Sequence, residues 1–181
     1  MTKYSIGIDV SKNDFHVALS TIDTQQRVKV IRSGSFKNTK EGFALFEQWM
    51  KATCKEKSLP LCIAMEATGI YYEQLAYYLF QRAYHVSVVL PNKAKKYAGA
   101  LGIKTKNDKA DAKALSRMGA EQALERWMPM GRYFYELRTL TRHHEQMMEM
   151  RTQLRNQLEA VAQAMHSSKE VRKVWRKWWK Y

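Results

Sequence analysis

The chain has 181 residues, 45% of them hydrophobic, which is enough for one packed domain of ordinary size with an appendage. A formal charge of +14 and a pI near 9.8 point to a polyanionic partner, nucleic acid before membrane. No run approaches the roughly 18 consecutive apolar residues of a spanning helix. The start, Met1-Thr2-Lys3-Tyr4, lacks a secretion signal, and Cys54 and Cys62 have no partner pair for a zinc site or a disulfide framework. The expectation is a soluble, intracellular protein of a reducing cytoplasm with no membrane partner. The basic excess is uneven, concentrated in residues 91–117 and 132–181.

Residues 3–9 read as a buried strand, Ser11-Lys12-Asn13-Asp14 as a turn, and Phe15 to Ser20 as a second strand completing a hairpin. Val28 to Ile31 gives a third strand after the polar turn Asp23-Thr24-Gln25-Gln26. Asn38-Thr39 offers a helix cap before the apolar stripe of Glu41 to Met50. Leu61 to Met65 is almost wholly apolar, as expected of a central strand buried on both faces, and Thr68-Gly69 breaks it. Tyr71 to Arg82 reads as a helix and His85 to Leu90 as another buried strand, stopped by Pro91. Residues 92–107 read as a short helix and a basic, Gly-punctuated loop, and Asp108 to about Trp127 as a helix ended by Met128-Pro129-Met130-Gly131. The order predicts an α/β domain of the RNase H kind: a mixed sheet, its first three strands antiparallel and the later ones parallel, with helices packed on it.

From Arg132 the period changes. Leu137, Leu140, His144, Met147, Arg151, Leu154, Leu158, Val161 and Met165 alternate three and four apart, the spacing of a coiled coil. A helix over 132–166 is expected, roughly 50 Å long. His144 and Arg151 make the seam polar in two places, and a single amphipathic helix packed on the sheet domain is the simpler alternative. Lys169 to Tyr181 forms a basic tail with Trp175, Trp178 and Trp179.

Four acids on three segments are the candidate site. Asp9 and Glu66 follow apolar runs, so both emerge from the core where central strands end, the edge at which open α/β sheets bind ligands. Asp108 and Asp111, three apart, project from one face of a helix start. Converging carboxylates repel unless some stay protonated or a cation joins them. Mg²⁺ takes hard oxygen ligands and leaves room for phosphate oxygens, and two such ions about 3.5–4 Å apart suit phosphodiester chemistry. Each acid also has an ordinary reading: Asp9 as a turn-former, Glu66 as a cap on the next turn, Asp108 as an N-cap, and Asp111 as a solvated first-turn acid.

Gly7-Ile8-Asp9-Val10-Ser11-Lys12, Met65-Glu66-Ala67-Thr68-Gly69 and Lys106-Asn107-Asp108-Lys109-Ala110-Asp111-Ala112 together resemble the three signatures of DEDD transposases, insertion-sequence recombinases related to the pilin-gene invertase. The resemblance covers about residues 4–125. It implies a RuvC-like RNase H fold over 1–130, followed by a coiled-coil helix over 131–168 and, at 169–181, the start of a missing C-terminal domain. It implies that Asp9, Glu66, Asp108 and Asp111 are a catalytic tetrad binding Mg²⁺, with Mn²⁺ as substitute. It further implies DNA recombination and transposition on double-stranded DNA, guided by a structured bridge RNA, in a homo-oligomer (dimer or tetramer) joined by the coiled coil. Members of the family carry a second domain with a serine nucleophile. Ser167 and Ser168 lack its context, so this chain is expected to be an N-terminal part that needs that domain for strand exchange.

Lys12, Lys93, Lys95, Lys96, Lys104, Lys106 and Lys109 flank the acids in sequence, and Arg138 and Arg142 extend the track; all are candidate contacts to nucleic-acid phosphates. A solvated basic loop is the plainer reading of the lysines. Three other functions remain open: a stand-alone junction nuclease of the RuvC type, a non-catalytic RNA-binding and oligomerisation module, and an actin-like sugar kinase. The last is disfavoured because no second Gly-rich phosphate loop follows and Asp108 and Asp111 would go unused.

Overall fold

The alternation of the first forty residues builds a three-stranded antiparallel unit, and the apolar runs that follow add two parallel strands to it. The computed structural model describes residues 1–102, 107–164, 173–174 and 176–177. Its elements are β1 (Lys3–Val10), β2 (Asp14–Ile22), β3 (Val28–Lys37), α1 (Lys40–Thr53), β4 (Leu61–Glu66), α2 (Glu73–Phe80), β5 (Val86–Val89), α3 (Pro91–Ala100), α4 (Asp108–Glu121) and α5 (Arg132–Ala164). The sheet order is β3-β2-β1-β4-β5. β1–β2 and β2–β3 pair antiparallel, and β1–β4 and β4–β5 pair parallel. This is the RNase H-type mixed sheet that the sequence leads one to expect. The chain divides into two compact units, Met1–Pro129 and Met130–Tyr181.

The two faces of the sheet are covered by different chemistry. Ile6, Ile8, Phe15, Val17, Leu19, Ile63 and Met65 point to one face and pack with Phe43, Phe46 and Met50 of α1 and Leu75 and Leu79 of α2. The Phe15 ring stands edge-on to Phe46, centroids 5.5 Å apart. Burying each such side chain stabilises the fold by about 1.5–3 kcal/mol. The other face is lined by small residues, including Ser5, Gly7, Ser20, Cys62, Ala64 and Ser87, all buried. Small side chains let α4 lie almost on the strand backbone. A Cβ on Gly7 would stand 2.1 Å from the Ala112 carbonyl oxygen and 2.1 Å from the Ser116 nitrogen, and one on Gly119 would stand 2.4 Å from Ser5 Oγ. The Ser116 hydroxyl donates to the Lys113 carbonyl (2.8 Å), so the buried Ser20 hydroxyl is the donor in its 2.7 Å bond to Ser116 Oγ.

Two boundaries differ markedly from expectation. β3 runs to Lys37 rather than ending near Ile31, because its backbone pairs with β2 along its length, around an irregularity at Leu19/Ser20, although most of its side chains are exposed. α4 stops at Glu121, not near Trp127. Gln122 is already extended (φ −111°, ψ 148°), and the Trp127 N–H donates to the Val86 carbonyl at 2.7 Å. The Trp127 ring sits edge-on to Tyr77 and Phe80. Capping the free edge of β5 thus wins over another helical turn. α5 is helical over Arg132–Ala164; the expected positions 165 and 166, with Ser167, Ser168 and most of the tail, lie outside the described residues. Along α5 the expected seam residues Leu137, Leu140, Met147, Leu154, Leu158 and Val161 are all exposed.

Gly7→Ala should destabilise the chain by about 3 kcal/mol or more in denaturant unfolding, because the atoms its methyl meets are backbone and cannot swing aside. Gly99→Ala on α3 meets nothing within 4 Å and should stay within about 1 kcal/mol of the parent, on the stabilising side. Equal effects of the two substitutions would refute the close docking of α4.

Candidate acidic site at the sheet edge

Asp9 stands near the end of β1 and Glu66 at the end of β4. The parallel register pairs Ile8 with Met65, so the next rung places Asp9 beside Glu66. The antiparallel register pairs Asp9 with His16 and His16 with Ser35. One rung therefore crosses the sheet as Ser35, His16, Asp9 and Glu66, on the face that α4 covers, since Gly7 and Asp9 alternate to the same side. α4 begins over this rung. Its cap is Asn107, whose side chain accepts from the Ala110 N–H at 2.7 Å. Asp108 is thereby released from capping and sits in the first turn with Asp111. Its Oδ2 lies 3.7 Å from His16 Nδ1.

The electrostatics tie the acids together. The Asp9 carboxyl is pushed up from an ordinary 3.8 to about 6, first by burial and then by the charges of Asp108, Asp111 and Glu66, with His16 acting in the opposite direction. All three other acids are thus within electrostatic reach of the one at the strand end. Glu66 is half-buried and accepts from the Thr68 hydroxyl at 2.8 Å. Among the described residues no three His, Cys, Asp or Glu side chains stand close enough to enclose a metal ion. The acids are neighbours rather than a closed cage.

The ordinary readings fare differently. Asp9 lies within β1, and the hairpin turn is made instead by Ser11, which donates to Asp14 Oδ1 at 2.8 Å. The N-cap is Asn107, not Asp108. Asp111 is half-buried rather than solvated. Glu66 does hold the turn that follows it, through Thr68. Sequence reasoning missed His16. The signal was the hairpin register: a turn centred between Lys12 and Asn13 sets residue 16 opposite residue 9.

The basic candidates are dispersed. Lys12 is exposed in the β1–β2 turn, Lys93, Lys95 and Lys96 are exposed on α3, and Lys109 is exposed on the first turn of α4. α3 follows β5, so its lysines start from the same sheet edge as the acids. It is fixed to α4 by Ala94, buried with Leu115 and Met118, and by the Tyr97 hydroxyl donating to Glu121. Arg138 and Arg142 are on α5, in the other unit, where Arg138 stands 5.2 Å from the Tyr135 ring. Lys104 and Lys106 lie outside the described residues.

Sheet, acid-bearing edge and docked helix define an RNase H-type α/β domain. A family model described as a transposase, of the DEDD, IS110 type, matches residues 6–167, and the chain belongs to that family. Over 145 residues it is 36% identical to the pilin gene-inverting protein of Moraxella lacunata and 35% identical to that of Moraxella bovis. Each match covers 80% of this chain but only 43% of the relative, so the chain spans less than half the length of these curated relatives. Among solved structures it is similar in outline to Thermus thermophilus RuvC in complex with a Holliday junction (14% identity, 65% of this chain and 93% of that one, TM-score 0.47). It is also similar to the Fowlpox virus resolvase with Holliday junction DNA (15% identity, 62% and 93%, TM-score 0.40). At that level of similarity no residue is transferable. No helix among the described residues is long and apolar enough to cross a membrane.

The raised Asp9 carboxyl has a definite sign in stability. The folded, metal-free chain holds this proton more tightly than the unfolded chain. The Asp9 contribution to stability is therefore most favourable below about pH 4, falls as pH rises to about 6, and carries the full cost above that. Asp9→Asn should stabilise the metal-free chain at pH 8 by about 1–2 kcal/mol after solvent screening is allowed for, and should be neutral near pH 4. A pH-independent difference between the two unfolding curves would contradict the electrostatic clustering.

Proposed function

We propose that this chain is the metal-binding RuvC-like part of a DNA transposase, with Asp9, Glu66, Asp108 and Asp111 as the residues that hold a divalent cation, Mg²⁺ with Mn²⁺ as substitute. The observation that carries this reading is the mutual repulsion of carboxylates gathered from β1, β4 and α4 around a half-buried Asp9. Repulsion of this kind is costly for a fold and is relieved by a hard cation, for which an all-oxygen donor set is suited. A cation bound there supplies Lewis-acid chemistry toward phosphodiester oxygens. The chain's own residues do the rest. Asp9 and Glu66 fix the donors on the two central strands, α4 carries Asp108 and Asp111 over them, Thr68 restrains Glu66, and His16 borders Asp108.

The exposed lysines of α3 and Lys109, with Lys12, contact the backbone of double-stranded DNA in this reading. Arg138 and Arg142 add charge on α5, and a structured guide RNA is held by the same kind of backbone contact. In this reading strand exchange also requires the serine-bearing domain that the family resemblance implies. A stand-alone junction nuclease is the rival that shares the acids; metal-dependent cutting of four-way junctions by this chain would favour it.

Asp111→Asn tests the assignment. Calorimetric Mn²⁺ titration should show affinity lowered by about tenfold or more, as for loss of a supporting ligand, with the fold intact by circular dichroism. Undiminished affinity would remove Asp111 from the ligand set.

A homo-oligomer through α5 is the second part of the reading, favoured by its apolar stripe: Leu140 is 67% exposed and Leu154 58%. Single-chain helices seldom leave such a stripe in water. Leu154→Lys should shift the sedimentation velocity of the chain to that of a monomer. A wild-type chain that already sediments as a monomer at tens of micromolar would count against it.

A further inference from the structure

The rung that carries the acids does not end at them. It continues through His16 on β2 to Ser35 on β3, and the next outward rung pairs Asp14 with Lys37. By strand alternation Ser33, Ser35 and Lys37 point to the same face as Asp9. Ser33, Ser35 and Lys37 are exposed, whereas the small residues of β1 and β4 on that face, such as Gly7 and Ala64, are buried under α4. This leaves an open shelf of two hydroxyls at the edge of the sheet, beside the acidic cluster. Lys37 borders it, and Lys12 in the adjoining hairpin turn is also exposed. Among the described residues neither lysine is in an ion pair: Asp14, across the strand from Lys37, accepts instead from Ser11. β3 is also the sheet's free edge, in contrast to β5, whose Val86 carbonyl is occupied by Trp127.

We propose that this β2–β3 shelf, Ser33, Ser35 and Lys37 with Lys12, is a contact surface for the sugar-phosphate backbone of duplex DNA passing through the acidic site, which deepens the function proposed above and rests on it. Short side chains let a phosphate come close, hydroxyls donate to its oxygens, and an unpaired ammonium neutralises it, the usual composition of a backbone contact. Charge complementarity names the occupant. The acids repel the backbone unless they are loaded with cation, so the strand that reaches them needs positive anchors alongside. α3 offers lysines from the β5 side of the site, and the shelf offers Lys37 on the β3 side. A strand held at both sides would cross the acids rather than merely approach them.

The test is fluorescence anisotropy of a labelled DNA duplex with the full chain over a series of salt concentrations. Lys37→Glu is compared with Lys57→Glu, an exposed residue before β4 at the opposite end of that strand, so the change in net charge is matched. The expected result is binding weakened roughly tenfold by Lys37→Glu, with the salt slope lowered by about one, and less than twofold change for Lys57→Glu. Ser35→Asp, which keeps every lysine, should weaken binding in the same direction, and unchanged melting of each variant excludes misfolding. Equal losses for Lys37→Glu and Lys57→Glu, or no loss in either, would overturn the shelf while leaving the acidic site standing. Loss confined to a labelled RNA hairpin, with duplex DNA unaffected, would overturn the assignment to DNA. Failure of the parent chain to bind any nucleic acid would overturn the proposed function itself and the shelf with it.

Discussion

The contact between the backbone of α4 and Gly7 is the constraint on which the rest of this structure depends. Gly7 sits two residues before Asp9 on the central strand, and no side chain fits between it and the helix. Serines and alanines extend the same close approach across β2 and β4. A helix that lies this near the sheet brings its first turn to the level of the strand ends. That is how two acids from a helix come to lie near two acids from strands more than forty residues away in sequence. The opposite face, filled by phenylalanines and by α1 and α2, supplies most of the apolar burial and has no part in the site.

Close docking has an electrostatic consequence. Four carboxylates drawn to one edge oppose one another, and Asp9, confined by burial, gives up its proton reluctantly. Such a cluster lowers folding stability once Asp9 ionises. Other acids of the domain are handled differently: Glu47 is ion-paired with Lys51 and Arg82, and the hydrogen bond from Lys51, helped by those from the Tyr78 and Tyr84 hydroxyls, holds its carboxyl below the usual range. The contrast sets the unbalanced edge apart from ordinary ion-paired surface.

Much of this was legible in the sequence because apolar runs and turn residues are strong signals. Leu61 to Met65 could hardly be other than a central strand, and Ser11 to Asp14 could hardly avoid a turn. The sequence pattern of β3 is shorter than the strand because an edge strand with Arg32, Ser33 and Ser35 facing water keeps backbone pairing but loses hydrophobic alternation. The helical pattern of α4 outlasts the helix because Leu124 and Trp127 prolong an apolar spacing that serves instead to cover the sheet and seal the β5 edge. The acids were found as motifs, but single positions left each with an everyday alternative, and the arrangement depends on register. His16 shows the same limit. Nothing in its neighbours marks it, and only the pairing of residue 16 with residue 9 brings it to Asp108. The role of Gly7 was equally hidden, since a glycine in a strand marks close approach without saying what approaches.

The central claim is that α4 delivers Asp108 and Asp111 to Asp9, and the carboxyl of Asp9 reports on this directly. Its side-chain carbon can be followed by NMR through a pH titration of the metal-free chain. An apparent pKa near 6, falling when Mg²⁺ is added, is the predicted result. A value at the ordinary aspartate position near 3.8, indifferent to Mg²⁺, would mean that the acids do not meet and would contradict the site.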